Sequence, residues 1–454
     1  MRHYHLMGIG GIGQSGLARI LRHDGHRVSG CDQTLSPLTR ELEYEGIRVM
    51  EGHSPEHLEG VDVLVASTGI PDANPELAQA RLLGLPVRRR IEVVAEILSR
   101  GYSLGVTGSH GKSSTSAMLA SIFLPTDPTV LLGAELGLIG GNARPGSGPF
   151  RIAEVDESDP LFQFLQLDVA VVTNLEADHV SPDGKPRPNY HTSYQALQDA
   201  VGSFASRAGT VVYNAAKRWA LLEQLTRGTD RVGFGIGVGE CQANNLELRP
   251  FDSRFDLFWH GQNLGQIALQ VPGEHNVENA LAAAAAALVA GLSFAEVQAG
   301  LARYTGAGRR FEKVGELNGA VVVDDYAHNG AKLFALLKAA RNTGLKVRAV
   351  FQPHRYGRSE QEWPLYAEAL EQADEVLILD VYASSEKPLK LTSRQIVTNI
   401  VDHLHQTGHP ARHATWDETL AHLRATAQTG DLILTIGAGS VSQLGRQLAG
   451  KETA

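Results

Sequence analysis

Lys112 stands in the run Gly108-Ser109-His110-Gly111-Lys112-Ser113-Ser114, after the apolar stretch Tyr102 to Val106 and before a Ser- and Ala-rich segment. A strand-to-helix loop of this composition turns its amides toward phosphate oxygens. It lets the lysine reach the β- and γ-phosphates and offers the Ser113 hydroxyl to Mg²⁺. The spacing is G-x-x-G-K-S rather than the longer Walker form, because Val106 occupies the position five before Gly111. ATP is the expected ligand.

A second phosphate-type turn lies at Gly8-Ile9-Gly10-Gly11-Ile12-Gly13, with Asp32 about 20 residues beyond the first glycine, at the end of the next strand pattern. Gly8, Gly10, Gly11 and Gly13 would let the backbone approach a diphosphate at a helix N-terminus, and Asp32 would take a ribose hydroxyl. Ser67, at the end of a further apolar run, belongs with this group. NAD, FAD and a UDP compound all satisfy such a turn. A simple dehydrogenase has no use for a triphosphate site, so two nucleotide loops in adjacent domains favour a substrate that carries its own diphosphate.

Carboxylates follow at Glu154-Val155-Asp156-Glu157-Ser158-Asp159. His179 comes five residues after Asn174, beyond the strand run Val169 to Val172. Ser113, Glu154 and His179 make up the expected metal site, since hard cations take oxygen ligands and parallel sheets bind ligands at strand C-termini.

These groups need a scaffold, and the chain supplies short apolar runs alternating with helical stretches, the signature of parallel α/β sheets. At roughly 150 residues per domain, 454 residues give about three domains, placed at 1–100, 101–309 and 310–454. Hydrophobic residues at 43% and charged residues at 20% exclude a disordered chain. The formal charge of −9 argues against nucleic acid as a partner. The Ala-rich run Ala280 to Leu292 is too short for the ~20 residues of a membrane span and is expected to be a packed helix. Cys31 and Cys241 make no framework, which suits a reducing cytoplasm, and Cys31 is expected to be a small buried residue with no base beside it.

The ordered motifs around Lys112, Glu154 to Asp159 and Thr173 to His179 resemble those of the Mur ligases. So do Gly273 to Ala280, Gly308-Arg309-Arg310-Phe311, Asp324 to His328 and Gln352 to Arg358, and the resemblance spans nearly the whole chain. It implies a three-domain architecture: a Rossmann-like N-terminal domain for a UDP-sugar, a central P-loop ATPase domain, and a Rossmann-like C-terminal domain for an amino acid. The implied activity is ATP-dependent joining of L-alanine to the lactyl carboxylate of UDP-N-acetylmuramate through an acyl phosphate, with two Mg²⁺ ions. The alternatives are a tripeptide-recycling ligase of the same family and an NAD-dependent oxidoreductase.

The roles carried over place His275, Asn276 and Asn279 near the adenine and Arg310 near the γ-phosphate. Asp325, Tyr326 and His328 would act at the ATP site, and His354, Arg355 and Arg358 toward the amino acid. Lys112, Glu154, His179, Arg310 and His328 form the catalytic set. Such an enzyme binds no membrane, works in the cytoplasm, and could form a homodimer. One departure stands out: Asn329-Gly330 occupies the place of the family's His-Pro, which predicts a less constrained helix start.

Overall fold

Short β-rich apolar runs that end in glycine or a polar turn build the strands, and the helices between them cover the sheet faces. The computed structural model describes every residue except 68–69, 178–179, 182–183, 186–189, 218–228, 307, 310, 385 and 452–454, and the side chain of residue 37. Among the described residues the strands form three sheets.

The first sheet has the order β3-β2-β1-β4-β5, with β1 His3–Met7, β2 Arg27–Asp32, β3 Arg48–Glu51, β4 Val63–Ala66 and β5 Val87–Arg89. All its pairings are parallel. The order reverses beside β1, so the Gly8 turn opens at a topological switch point, where such sheets bind ligands.

The second sheet runs β15-β14-β13-β12-β11-β10-β6-β9-β7-β8. Its central strands are β6 Tyr102–Thr107, β7 Thr129–Leu136, β8 Gly141–Arg144, β9 Phe150–Glu154, β10 Val169–Val172 and β11 Thr210–Asn214. Beyond them lie β12 Asp230–Ile236, β13 Cys241–Leu248, β14 Ser253–Trp259 and β15 Gln262–Leu269, an extension that the α/β reading of the sequence did not anticipate. The Ala-rich run does form a helix, Glu274–Val289, and Ala280 to Ala287 are fully buried in it.

The chain divides into two compact units. One comprises Met1–Glu247, Arg254–Leu269 and Glu274–Ala307, and the other Leu248–Ser253, Gln270–Gly273 and Gly308–Ala454. Within the first unit a single apolar core includes Leu17 and Ile20 of the helix Ile12–His23 together with Leu131, Ala143 and Val172 of the second sheet. Gly16 makes that contact possible: a Cβ there would lie 2.7 Å from Leu131 Cδ1 and Asn142 Nδ2. Arg19 Nη1 also donates to Asn142 Oδ1 at 3.1 Å.

The second unit contains the third sheet, in the order β16-β17-β21-β18-β19-β20. Its strands are β16 Glu312–Leu317, β17 Ala320–Asp325, β18 Lys346–Phe351, β19 Glu375–Ile378, β20 Ala411–His413 and β21 Asp431–Ile436. Only β16 pairs antiparallel. The helix Gly330–Arg341 starts differently from the sequence expectation. Asn329 is its N-cap, accepting from Lys332 N at 2.9 Å, and Gly330 N donates to Glu362 Oε2 at 2.9 Å. A side-chain cap does the work that a proline would do by fixing φ.

Candidate active site

Register carries the Lys112 loop to its neighbours. In β6, Val106 pairs with Glu154 of β9 and Thr107 with Val172 of β10, so the chain segments leaving all three strands meet at one edge. The loop following β6 is then clamped from the β10 side. His110 N donates to Asn174 Oδ1 and Asn174 Nδ2 donates to His110 O, both at 2.8 Å. Thr173 Oγ1 donates to the same carbonyl at 2.6 Å, and Glu176 N donates to Ser109 Oγ at 2.8 Å. The His110 ring lies 3.1 Å from Glu176 Oε2.

Gly111, the N-cap of the helix Lys112–Phe123, has φ +81° and presses against Asn279, so a side chain there would be both strained and obstructed. No side chain caps this helix, which leaves its first-turn amides for a ligand. Asn279 is buried, and Thr115 Oγ1 donates to its Oδ1 at 3.3 Å. It therefore packs beneath the loop. Asn276 is buried on the same helix and His275 is exposed.

Lys112 Nζ donates to Gly108 O at 2.6 Å and to Glu157 Oε1 at 3.0 Å, and lies 2.8 Å from Glu157 Oε2. Burial alone would depress the ammonium pKa. Glu157 outweighs it, with Asp156 and Glu154 adding to the effect, so the pKa rises and the charge is held. The carboxylate brought to the lysine is thus Glu157, fully buried and not singled out by sequence reasoning, whereas Glu154 accepts from Gly133 N at 2.9 Å. Ser113 and Ser114 sit part-exposed in the first turn of the helix. His179 lies outside the described residues.

At the first sheet, Gly8 N and Ile9 N both donate to Cys31 O, and Gly10 N donates to Asp32 Oδ2 at 2.9 Å. Asp32 also accepts from Gln33 N, so it braces the turn that it was expected to accompany. Gly11 caps the helix Ile12–His23 without a side-chain bond. A Cβ on Gly8 would lie 3.6 Å from Ser67 Cβ, and one on Gly13 would lie 3.2 Å from Arg90 Nη1. Arg90 is thereby a cation at the turn.

In the second unit, β17 ends at Asp324-Asp325 and β18 leads into His354-Arg355, with β21 between them. Asp325 accepts from Phe311 N and Ala327 N, each at 2.7 Å, and so holds two loops together. His328 Nδ1 donates to Tyr326 O at 2.8 Å, and the Tyr326 and His328 rings meet edge-on at 5.0 Å. Arg309, at φ +59°, donates to Asp324 Oδ2 at 2.9 Å and to Gly437 O, and its guanidinium lies over the Tyr326 ring at 5.0 Å. Its neighbour Arg310 is outside the described residues.

His354 stacks on Tyr382, with ring centroids 5.7 Å apart. Burial, with the charges of Arg355 and Arg358, holds its pKa down at about 4, so the ring is neutral at pH 7. Arg355 is exposed and takes φ +64° ahead of the helix Tyr356–Leu370, and Arg358 lies in the first turn of that helix.

Residues 3–102 match the Mur ligase family catalytic domain, residues 106–287 the Mur ligase middle domain and residues 309–439 the Mur ligase glutamate ligase domain. The chain is 43% identical to the UDP-N-acetylmuramate–L-alanine ligase of Deinococcus radiodurans, over 99% of this chain and 93% of the relative. It is 40% identical to the protein of the same name from Gloeobacter violaceus, over 97% and 94%. The crystal structure of UDP-N-acetylmuramate-alanine ligase MurC from Thermotoga maritima superposes with a TM-score of 0.82 at 28% identity, covering 99% of this chain and 98% of that one. Among the described residues, no helix is long and apolar enough to cross a membrane.

Proposed function

The chain belongs to the Mur ligase family, and from that premise we propose that it joins L-alanine to the lactyl carboxylate of UDP-N-acetylmuramate at the expense of ATP, in peptidoglycan precursor synthesis. The observation that carries the reading is full-length identity of 43% and 40% to two ligases of that name, together with a charged Lys112 in a phosphate-type loop.

A carboxylate is a poor electrophile. In this reading its oxygen attacks the γ-phosphorus of ATP, ADP leaves, and an acyl phosphate forms. The alanine amine then attacks the carbonyl carbon, loses a proton, and expels phosphate through a tetrahedral intermediate. The protein has little covalent work in such a transfer, so positioned charge is its main contribution. Lys112 and the first-turn amides of its helix take the phosphates, with Ser109, His110, Ser113 and Ser114 lining the loop. Asn174, Thr173 and Asn279 keep that loop in shape. The Gly8 turn, backed by Asp32 and flanked by Arg90 and Ser67, takes the UDP diphosphate. Arg355 and Arg358 suit the amino-acid carboxylate by bidentate pairing.

The donors around the loop fit a hard divalent cation, since Ser113, Glu154 and Glu157 offer only oxygen. Mg²⁺ held by these groups, with His179, would supply charge neutralisation at the transferring phosphoryl group. Asp325 positions the loops of the third sheet, and Tyr326, His328 and Arg309 present polar groups beside it. Drawing on ATP, such a reaction would run in the cytoplasm.

Phosphate release measured with every subset of ATP, Mg²⁺, UDP-N-acetylmuramate and L-alanine tests the proposal. Release only with the full set supports it. Equal or faster release with a tripeptide in place of L-alanine assigns the enzyme to recycling, and release that is indifferent to the UDP-sugar defeats the reading altogether.

A further inference from the structure

On the face of the first sheet packed by Met7, Leu58, Leu64, Leu77 and Ala80 lies a group of side chains that the ligase reaction does not use. His5 from β1, Cys31 from β2, His57 from the turn after β3, and Glu76 from the helix Pro75–Leu82 bring donor atoms within 4.8 Å of one another. We propose that these four residues form a binding site for a single borderline-soft divalent metal ion of the zinc type, distinct from the oxygen-lined site at Lys112.

The donor set is what such an ion takes: one thiolate, two imidazoles and one carboxylate. Their charges cancel those of a divalent ion, which matters because Cys31, His5 and Glu76 are all fully buried. Tetrahedral bonds of about 2.0–2.3 Å put ligand atoms about 3.3–3.8 Å apart. Of the observed separations one lies in this range and two are shorter, so the Glu76 carboxylate would shift outward to admit an ion. Cys31 Sγ is 3.1 Å from Glu76 Oε2, His5 Nε2 is 3.8 Å from Glu76 Oε1, and His57 Nδ1 is 2.5 Å from the same oxygen. His53 Nδ1 sits at the rim, 3.3 Å from Cys31 Sγ. The cysteine is therefore not the isolated thiol that the sequence suggested.

His5 provides the independent sign. Its Nε2 is buried and has no hydrogen-bond partner. The reason lies in a relay behind it. His3 Nδ1 contacts Gly60 O at 2.8 Å and must donate to that carbonyl. With both imidazoles neutral, Ser29 Oγ then donates to His3 Nε2 at 2.8 Å and accepts from His5 Nδ1 at 2.9 Å. His5 Nε2 is left with a bare lone pair facing the Glu76 carboxylate, a pairing of two acceptors that a cation resolves. Outer partners that fix the tautomer of a metal-ligating histidine are a recurring feature of metal sites. Access is available from the His53 and His57 side, where the side chains are 11% and 14% exposed. On binding, the Cys31 thiol proton passes to solvent and sulfur donates its electron pair to the metal.

The test uses the full-length chain, stripped with a chelator, kept reduced, and titrated with Co²⁺ in the absence of nucleotide. One equivalent should bind with a thiolate-to-cobalt charge-transfer band, and Zn²⁺ should displace it. Cys31→Ser should abolish the band and weaken binding at least tenfold. His57→Gln should weaken binding about tenfold or more while keeping the band. Cys241→Ser, which removes the chain's other thiol, should change neither. Absence of the band in the parent, or its survival in Cys31→Ser, overturns the proposal. Should Cys31→Ser fail to fold, Co²⁺ affinity unchanged in both His57→Gln and Glu76→Gln overturns it equally.

Discussion

Lys112 Nζ lies 2.8 Å from Glu157 Oε2, and this ion pair, with the 2.6 Å bond to Gly108 O, folds the loop lysine back onto its own loop. A bound triphosphate would exchange those partners for phosphate oxygens. Lys112→Ala should therefore lower kcat about 10²–10³-fold, read as phosphate release at saturating substrates. Glu157→Gln leaves the ammonium in place without its counter-charge. Breaking a buried pair from one side costs about 3–5 kcal/mol, and because Lys112 retains some exposure the lower end is expected in urea unfolding.

Asn174 supports His110 through both halves of its amide. Asn174→Ala removes two bonds from a loop that must hold its shape against phosphate. The KM for ATP should rise several-fold while the far-ultraviolet spectrum is unchanged. An unaltered KM would show that the loop keeps its form without this clamp.

Arg355 holds φ +64° and ψ 135°, a region that costs a non-glycine residue about 1–3 kcal/mol. If that strain is retained for amino-acid binding, Arg355→Gly should raise stability by about 1 kcal/mol and raise the KM for L-alanine. Steady-state kinetics alongside denaturant titration separates the two effects.

His354 gives the second unit a pH response. Its pKa is held at about 4 in the fold against 6.5 for the free side chain, by burial first and then by Arg355 and Arg358. The unfolded chain thus binds the extra proton between these values. The stability that the neutral ring contributes is complete above about pH 6.5 and drains away as pH falls toward 4. His354→Gln should flatten this acid limb, checked by unfolding midpoints at pH 7 and pH 5. Solvent reaches part of the ring, so the difference will be smaller than full burial would give.

Asn329 caps its helix where the family resemblance anticipated a looser start. Asn329→Ala should cost about 1 kcal/mol, measured as a shift in the unfolding midpoint, whereas Asn329→Ser should be nearly neutral.

The loop at Lys112, the turn at Gly8 and the strands around them were legible in the sequence because each is local. An apolar run, a glycine-bearing turn and a helix lie within some twenty residues, and their spacing already states where phosphate would sit. Strands β6 and β10 fall close to where the apolar runs placed them. The extension from β13 to β15 was not legible, since its mixed polar and apolar residues carry no comparable run.

What the sequence determined on its own was therefore the identity of the chemical groups and the strand ends that display them. The tertiary structure decided which groups meet. Placing β10 and β9 on either side of β6 delivers Asn174 to His110, and Glu157 rather than Glu154 to Lys112. Packing the Pro75–Leu82 helix over β1 and β2 gathers His5, Cys31 and Glu76, residues separated along the chain by 26 and 45 positions. Such meetings depend on sheet order and register, which arise from burying whole faces at once and leave no trace in the spacing of any one segment.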